Sequence, residues 1–465
     1  MSSEHATDSI EKIKELVEAT TDPSLKQAIQ SLGDAISVGN VTNSSGVAIG
    51  RNIHMVVNQL NLPVETVAAI LDVRSAKAAS MGLDPDRYRL GTLLADKTSG
   101  FVGRAYVFQA IDEFLRNHGN GYFVIEGDPG LGKSAILAEY VRRTGCIAHF
   151  NVRAAGINSA KQFLENVCTQ LIIDFGLPYP TLPPNAGHDS ASLSKLLQEA
   201  SGRLALGERL VIAVDALDEV DIAGHPDGAN ILFLPKILPD RVYFIVTRRD
   251  IELPFVVEAP QAKLDLMSYP AENRKDIELY LHRSHERAAI LAWMARQNMS
   301  AATFVSELAD LSENNFMYLR YVLPEIEIGG YHDLDIRRLP AGLQGYYEDH
   351  WRGMGMTAKP LPRVKIRVIY IMCEARQPVS RALIAQFATD QEMKVNELAV
   401  QEVLDEWKQF LHEQQTPERL LYSLYHASFR DFLHRKEIVQ SSGVTIKDVN
   451  GLIANNLWES IFGAG

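Results

Sequence analysis

Between residues 101 and 268, short apolar runs alternate with stretches of helical periodicity. Continuously apolar runs are typical of parallel strands, because helices cover both faces of such a sheet. We predict strands at 122–126, 147–152, 210–215, 242–247 and 263–267, and helices at 105–116, 134–143, 160–175 and 193–204. The pattern therefore predicts an α/β domain, at 101–268, with a five-stranded parallel sheet.

The C-terminal part of the chain has mainly helical periodicity. Residues 269–352 predict an all-helical domain. In 353–440, the predicted elements are helices at 363–375, 379–388 and 396–412, then a polar turn, an apolar strand and a last helix. Three helices with a short β-wing indicate a winged-helix domain. Residues 441–465 predict one further helix.

The N-terminal region changes in character along its length. Residues 1–38 predict two short helices, separated where Asp22 and Pro23 interrupt the apolar spacing. Residues 39–62 are rich in Gly, Asn, Ser and Val, and we interpret them as a β segment with short strands at 47–49 and 53–57. Residues 63–100 predict a helix at 64–79 followed by a polar linker at 82–100.

Composition narrows the classes of function. The chain has 465 residues, a formal net charge of −12 and three cysteines. The cysteines are far apart and lack metal-ligand spacing, so neither a disulfide framework nor a zinc site is expected. The acidic balance argues against a general nucleic-acid binder. No apolar run is long enough for a membrane span, and the polar N-terminus is unlike a signal peptide, so a cytoplasmic protein is expected.

The strongest chemical signal is a glycine-rich segment between a predicted strand and a predicted helix. Residues Gly127, Asp128, Pro129, Gly130, Leu131, Gly132, Lys133 and Ser134 match the phosphate-loop pattern G-x-x-x-x-G-K-[ST] in full. Backbone N–H groups of such a loop surround a phosphate, and the helix N-terminus adds partial positive charge. Lys133 is expected to reach the β- and γ-phosphates, and the Ser134 hydroxyl to bind Mg²⁺.

Two further predicted strands end in polar residues. The apolar run 210–214 leads into Asp215, a candidate Mg²⁺ ligand, and Asp218 and Glu219 follow as candidates for orienting or deprotonating the attacking water. The strand at 242–247 is followed by two arginines, of which Arg249 is our candidate for contacting the γ-phosphate. The alternatives are a solvated acidic turn and a surface arginine pair.

Together these motifs resemble the STAND class of NTPases, and in particular its NACHT branch, over residues 100–435. The paired acids of the VDALDE segment carry the resemblance, as does the strand that ends in TRR, where the family often has TSR. Upstream, Gly103 and Arg104 are similar to an entry segment that lies near the adenine in the family. Downstream, HASFRDFL at 426–433 is similar to the ending found in NACHT proteins with WD repeats.

The resemblance implies a signalling switch in innate-immune, defence or cell-death responses. ATP or ADP with Mg²⁺ is the implied cofactor, and exchange of ADP for ATP would open the molecule and expose a face for homo-oligomerisation. His426 matches a winged-helix histidine that contacts the β-phosphate of ADP in related switches; a satisfied core histidine is its alternative. Slow or absent ATP turnover is implied. Residues 441–465 are then interpreted as the link to a sensor domain that is absent.

Residues 39–58 resemble the prion-like signalling motifs of some NACHT proteins, which would recruit an effector protein; a hairpin or linker is the alternative. Two other functions remain open for the whole chain. One is a motor-type P-loop ATPase. The other is a nucleotide-gated DNA-binding regulator, although the candidate recognition helix at 396–407 carries four acidic residues and no basic one.

Overall fold

The computed structural model describes residues 90–462, apart from 224, 227, 332–334, 376 and 417–418, and scattered residues between 20 and 74. Two compact units make up the chain. The first comprises residues up to Asp128 together with Gly132–Asn151 and Asn158–Tyr280. The second comprises Pro129–Leu131, Val152–Ile157 and Leu281–Gly465.

A five-stranded parallel sheet forms the centre of the first unit. Its strands are β1 (Gly121–Glu126), β2 (Ile147–Phe150), β3 (Leu210–Asp215), β4 (Val242–Arg248) and β5 (Gln261–Asp265). They are arranged in the order β2-β3-β4-β1-β5, and all four neighbouring pairs are parallel. The predicted α/β class and the five-stranded parallel sheet are confirmed. All six residues of β1 are buried, as the continuous apolar run requires.

Strand β5 is the one whose predicted position was displaced. It begins at Gln261 and ends at Asp265, two residues before the prediction, and Met267 lies in a short 3₁₀ helix. The strand lies at the edge of the sheet, and three of its five residues are partly or fully solvent-accessible on one face. An edge strand needs fewer apolar residues, so the apolar side chains of Leu264, Leu266 and Met267 placed the predicted strand two residues too late.

The helices of the first unit cover the sheet. They are α1 (Val64–Leu71), α2 (Gly91–Thr98), α3 (Ala105–Asn117), α4 (Lys133–Thr144), α5 (Ala160–Phe175), α6 (Ser190–Ser201) and α7 (Pro270–Ser284), whose last turn crosses into the second unit. One large apolar cluster joins β1, β3 and β4 to α5 and α6, and it includes Tyr122, Phe163, Leu197 and Phe244, each no more than 1% exposed. This packing fixes where the carboxyl ends of the strands lie relative to one another.

Two N-terminal predictions differ from the structure. Ile53, Val56 and Val57 are helical and buried, so the strand expected at 53–57 is wrong at its described residues. Their spacing of three and four residues places them on one helical face, which outweighs the β preference of branched side chains. The polar linker expected up to residue 100 contains helix α2, where Leu94 is fully buried. The rest of the 39–58 segment lies outside the described residues.

A buried ion pair attaches Arg74, in the N-terminal region, to a helix that packs on the parallel sheet. Arg74 donates to both carboxylate oxygens of Asp174 in α5 and to the carbonyl oxygen of Gly145, and both charged side chains are under 5% exposed. Removing one partner of such a pair costs about 3–5 kcal/mol of unfolding free energy, since it leaves a buried charge without compensation. Arg74 is therefore part of the first unit's core.

The second unit is largely helical. Its helices are α8 (Ala288–Arg296), α9 (Ala301–Ser312), α10 (Phe316–Ile328), α11 (Gly342–Gly353), α12 (Arg363–Glu374), α13 (Arg381–Ala388), α14 (Glu397–Glu406), α15 (Ala427–Leu433), α16 (Lys436–Ser442) and α17 (Ile446–Phe462). An aromatic cluster packs α11 against the residues around α15. Tyr347 contacts Phe429 and Phe432, and its hydroxyl hydrogen-bonds to the Ser428 hydroxyl.

A small antiparallel sheet accompanies α12, α13 and α14. Its strands are β6 (Val379–Ser380), β7 (Leu411–Gln415) and β8 (Leu420–Leu424), in the order β6-β8-β7. The helix predicted at 396–412 is therefore too long: α14 ends at Glu406, and residues 411–415 pair with β8. Among the described residues of both units, no helix is long and apolar enough to cross a membrane.

Candidate functional site

The glycine-rich segment forms the connection between β1 and α4. Gly130 and Gly132 have φ values of 88° and 86°, a backbone region that side chains with a Cβ rarely adopt. Gly132 is the N-cap of α4, so Lys133 and Ser134 are the first residues of that helix. The N–H groups of the first helical turn have no partner within the helix. They can therefore donate to a bound anion.

Lys133 lies against the loop that precedes it. Its ammonium group donates to the carbonyl oxygens of Gly127 and Asp128, at 2.6 and 3.0 Å. Burial lowers the pKa of the Lys133 ammonium, and the carboxylates of Asp218 and Asp215 act in the opposite direction. The lysine thus sits between the loop and two acids, where an added negative group would strengthen its charged form.

The two predicted magnesium ligands are neighbours. The Ser134 side chain is close enough to the carboxylate of Asp215, which is 4% exposed, to lower its pKa. Thr247, at the end of β4, donates its hydroxyl hydrogen to the same carboxylate and accepts from the N–H of Ala216. Burial raises the pKa of the Asp215 carboxyl group, against the lowering effect of these hydrogen bonds. Three separate motifs therefore meet at one edge of the sheet.

Asp218 and Arg249 form an ion pair at the same edge. The guanidinium Nε of Arg249 lies 2.6 Å from Asp218, whose other oxygen accepts from the Arg249 N–H. Asp218 and Glu219 belong to a 3₁₀ turn after β3, and the Glu219 carbonyl oxygen accepts from Asn158. We call Lys133, Ser134, Asp215, Asp218, Thr247 and Arg249 the strand-edge site.

The neighbouring arginine, Arg248, has a different partner. It pairs with Glu126 at the end of β1, with its Nη2 at 2.6 Å from the carboxylate. Glu126 is 1% exposed and is also paired with Lys263 on β5. Sequence reasoning noted the arginine pair but not this acid. The register of β1 with β4 places Glu126 directly opposite Arg248, and only the strand order reveals that pairing.

The entry segment is held by α7 within the first unit. Gly103 has a φ of 68°, and a Cβ at that position would overlap the carboxylate of Asp276. Arg104 is 2% exposed; its N–H donates to Asp276, and its guanidinium donates to Asn273. A Cβ on Gly132 would lie 4.0 Å from the Arg104 guanidinium, so this charge is close to the phosphate loop.

The tip of the phosphate loop, Pro129–Leu131, is grouped with the second unit. Asn315, the N-cap of α10, donates its amide to the carbonyl oxygen of Pro129, and the N–H of Phe316 donates to Gly130. A Cβ on Gly130 would lie 2.2 Å from the Asn315 side chain. Gly130 is therefore required by close approach as well as by its backbone angle, a constraint that the motif alone does not reveal.

His426 is also in the second unit, as the N-cap of α15. Its Nδ1 accepts the N–H of Ser428 and lies 2.6 Å from the Ser428 hydroxyl. A ring nitrogen that accepts an N–H carries no proton, so the proton of the neutral ring is on Nε2. The histidine has a local structural role, and the predicted phosphate contact stays a prediction.

The side chains present fit a magnesium nucleotide. The loop offers a helix N-terminus and an ammonium group, the Ser134–Asp215 pair offers two oxygen ligands of the kind that Mg²⁺ takes, and Arg249 lies beside them. Bound Mg²⁺ would supply charge neutralisation between phosphate oxygens. These residues would hold it at the carboxyl ends of β3 and β4, where open parallel sheets bind ligands.

Comparison with known proteins finds a distant similarity. No protein-family model matches the chain. Over 162 residues, 32% of its length, the chain is 28% identical to NACHT domain- and WD repeat-containing protein 1 of Homo sapiens, and the match covers 10% of that protein. The chain thus spans about a tenth of the relative it matches. The similarity points to a NACHT-type NTPase, with which the five-stranded parallel sheet is compatible.

Proposed function

We propose that the chain is a nucleotide-operated switch of the NACHT type that binds ATP or ADP with Mg²⁺. The observation that carries this proposal is the meeting of three motifs at one sheet edge. The full phosphate-loop motif ends in Ser134, and Ser134 lies beside Asp215, the acid that ends β3. The distant similarity to a NACHT protein supports the same class.

Each residue of the strand-edge site has a proposed role. Lys133 exchanges its loop carbonyl partners for phosphate oxygens, and Ser134 with Asp215 holds Mg²⁺. Arg249 contacts the terminal phosphate and so distinguishes ATP from ADP. Glu219, next to Asp218 in the 3₁₀ turn after β3, orients the attacking water. Thr247 keeps the Asp215 carboxylate in place through its hydroxyl.

The second unit supplies the proposed response. Helices α12, α13 and α14 with the three-stranded sheet are proposed to be a winged-helix domain, in which His426 contacts the β-phosphate of ADP. A nucleotide shifts a conformational equilibrium only if its affinity differs between the two states. The terminal phosphate on Arg249 and the ADP contact of His426 would provide that difference. The active state is proposed to be a homo-oligomer in innate-immune or defence signalling.

The test is to purify the chain, identify the nucleotide it retains, and measure particle mass, turnover and duplex DNA binding with ADP and with ATP, both in the presence of Mg²⁺. Retained ADP, ATP-dependent assembly and slow turnover are expected. Rapid turnover without assembly would replace the switch with a motor, and ATP-gated DNA binding would replace it with a regulator. Absence of adenine and guanine nucleotide binding would overturn the nucleotide site itself.

A further inference from the structure

A cysteine, a glutamate and a histidine converge in the second unit. The Sγ of Cys373, a carboxylate oxygen of Glu374 and a ring nitrogen of His434 all lie within 4.8 Å of one another. Sγ is 3.4 Å from Nε2 of His434, and a Glu374 oxygen is 2.6 Å from that same nitrogen. We call these three residues the C-terminal cluster. No role in nucleotide binding involves them.

The geometry of the C-terminal cluster does not suit a nucleophilic cysteine. A thiol, histidine and acid relay uses one ring nitrogen for the thiol and the other for the acid. Here both partners face Nε2. Cys373 is also fully buried, and burial raises the pKa of its thiol to about 12, whereas reactive cysteines are accessible and have a lowered pKa. Covalent chemistry on a substrate is therefore a poor explanation.

We propose that Cys373, Glu374 and His434 form a binding site for a divalent transition-metal ion of the zinc class. Thiolate sulfur, imidazole nitrogen and carboxylate oxygen are the ligands that Zn²⁺ takes, at about 2.0–2.3 Å. Ligand atoms around a tetrahedral ion with those bonds are about 3.5 Å apart. The Sγ–Nε2 separation already has this value, and the Nε2–carboxylate contact must open by less than an ångström, about the change from a hydrogen bond to shared coordination.

The surroundings favour a cation at this point. Cys373 and Glu374 are the last two residues of α12, and the C-terminal end of a helix carries partial negative charge. The second oxygen of Glu374 accepts from Asn450 of α17 at 3.0 Å, an outer contact of the kind that orients metal-bound carboxylates. The His434 side chain is 37% exposed, which gives an ion and a fourth ligand, water, a route to the cluster.

Arg430 places a positive charge near the C-terminal cluster. The guanidinium of Arg430 donates to the carbonyl oxygens of Cys373, in the last turn of α12, and of Ala375, the residue after that helix. The arginine acts to lower the pKa of Cys373, opposite to burial, so it favours the thiolate that a metal requires. With thiolate and carboxylate both charged, a divalent ion neutralises the cluster, and the Arg430 Nη2 keeps its backbone acceptors.

Titration with Co²⁺ provides the decisive measurement. Co²⁺ occupies zinc sites, and its absorption spectrum shows a sulfur-to-cobalt charge-transfer band only when a thiolate is a ligand. Tag-free, nucleotide-free protein is titrated with Co²⁺, and bound zinc is measured by elemental analysis in a parallel sample. We expect about one ion per chain, a sulfur-to-cobalt charge-transfer band, and displacement of Co²⁺ by Zn²⁺. A titration without that band, or with no saturable binding, overturns the proposal.

Variants assign the ligands. C373S should remove the charge-transfer band, while C168S, which alters an equally buried cysteine of α5, should keep it. H434Q should weaken Co²⁺ binding at least about tenfold and N450A by about tenfold. If C373S does not fold, the H434Q result decides, because that partly exposed side chain can be replaced without opening the core. Unchanged affinity in folded H434Q, or a band that persists in C373S, sinks the proposal.

Discussion

The strand-edge site and the C-terminal cluster are both groups of ionisable side chains gathered where elements end. In the strand-edge site, three short motifs follow β1, β3 and β4, and each motif has a recognisable sequence. In the C-terminal cluster, His434 is 60 residues from Glu374, and neither lies in a motif. Parallel strands of one sheet must end at a common edge, whereas nothing in a helical unit dictates which helix ends meet.

This difference shows when a short sequence pattern can predict a contact between residues that are far apart in the chain. In a parallel sheet, the position of a residue along its strand fixes its position in space. The acid that ends β3 and the hydroxyl of Thr247 near the end of β4 are therefore neighbours. Helix packing has no comparable rule, because several crossing angles and rotations bury an apolar face equally well. Four predictions separate the two sites, from the largest expected effect to the smallest.

K133A should weaken nucleotide binding at the strand-edge site and leave metal binding at the C-terminal cluster unchanged. Loss of the ammonium group removes charge-assisted hydrogen bonds to phosphate, each about 1.5–3 kcal/mol, so nucleotide affinity should fall at least about 100-fold. Co²⁺ binding at the C-terminal cluster should not change. Calorimetric titration with ADP and ATP checks the first part, with K236A, an exposed lysine, as the control. Nucleotide still retained by K133A would contradict the assignment.

Substitutions of the two adjacent arginines should have different effects: one on stability, the other on the preference between ATP and ADP. R248Q leaves the buried Glu126 with Lys263 alone, and we expect a loss of about 2–3 kcal/mol in unfolding free energy. R249Q, which breaks a more exposed pair, should cost less than 1 kcal/mol but reduce the preference for ATP over ADP about tenfold. Denaturant unfolding and binding titrations measure the two quantities. Equal effects of both variants on nucleotide preference would break the distinction.

Asp215 should make the nucleotide-free protein sensitive to pH. Burial raises its pKa in the folded state, so the folded protein holds this proton more tightly than the unfolded chain does. Its contribution is therefore lost as pH rises from the ordinary carboxyl pKa towards the raised value. As pH rises above about 4, the ordinary pKa of an aspartate, D215N should gain stability relative to the parent protein, and Mg²⁺ should no longer strengthen its ATP binding. A stability difference that is constant with pH would refute this.

H426N is the mildest change and tests a link between nucleotide and the second unit. Asparagine can still cap α15 by accepting the Ser428 N–H, so stability should change little. Loss of one hydrogen bond to ADP, about 1 kcal/mol, should lower ADP affinity about fivefold and leave ATP affinity unchanged. H412N, on strand β7, is the control. ADP binding that is the same in H426N and the parent would remove His426 from the proposed switch.

Much of the fold followed from the spacing of apolar residues. Helix α5 and strand β3 have the predicted bounds, because a capping residue and an abrupt polar position mark their ends. The errors occur where two tendencies compete. At Ile53, Val56 and Val57, β preference opposed helical spacing, and burial against the first unit decided for the helix. At 407–412, helical periodicity continued past the end of α14, and pairing with β8 formed β7 instead.

By itself, the sequence determined the phosphate-loop chemistry and the identity of the acids and arginines that follow the strands. Each of those features depends on a few consecutive residues and on the strand next to them, whose position the local sequence also predicts. Tertiary structure alone decided that Arg248 pairs with Glu126, that Asn315 approaches Gly130, and that Cys373 meets His434. Such contacts arise from the packing of whole elements, in which the free energy of burying many side chains sets the position of each one.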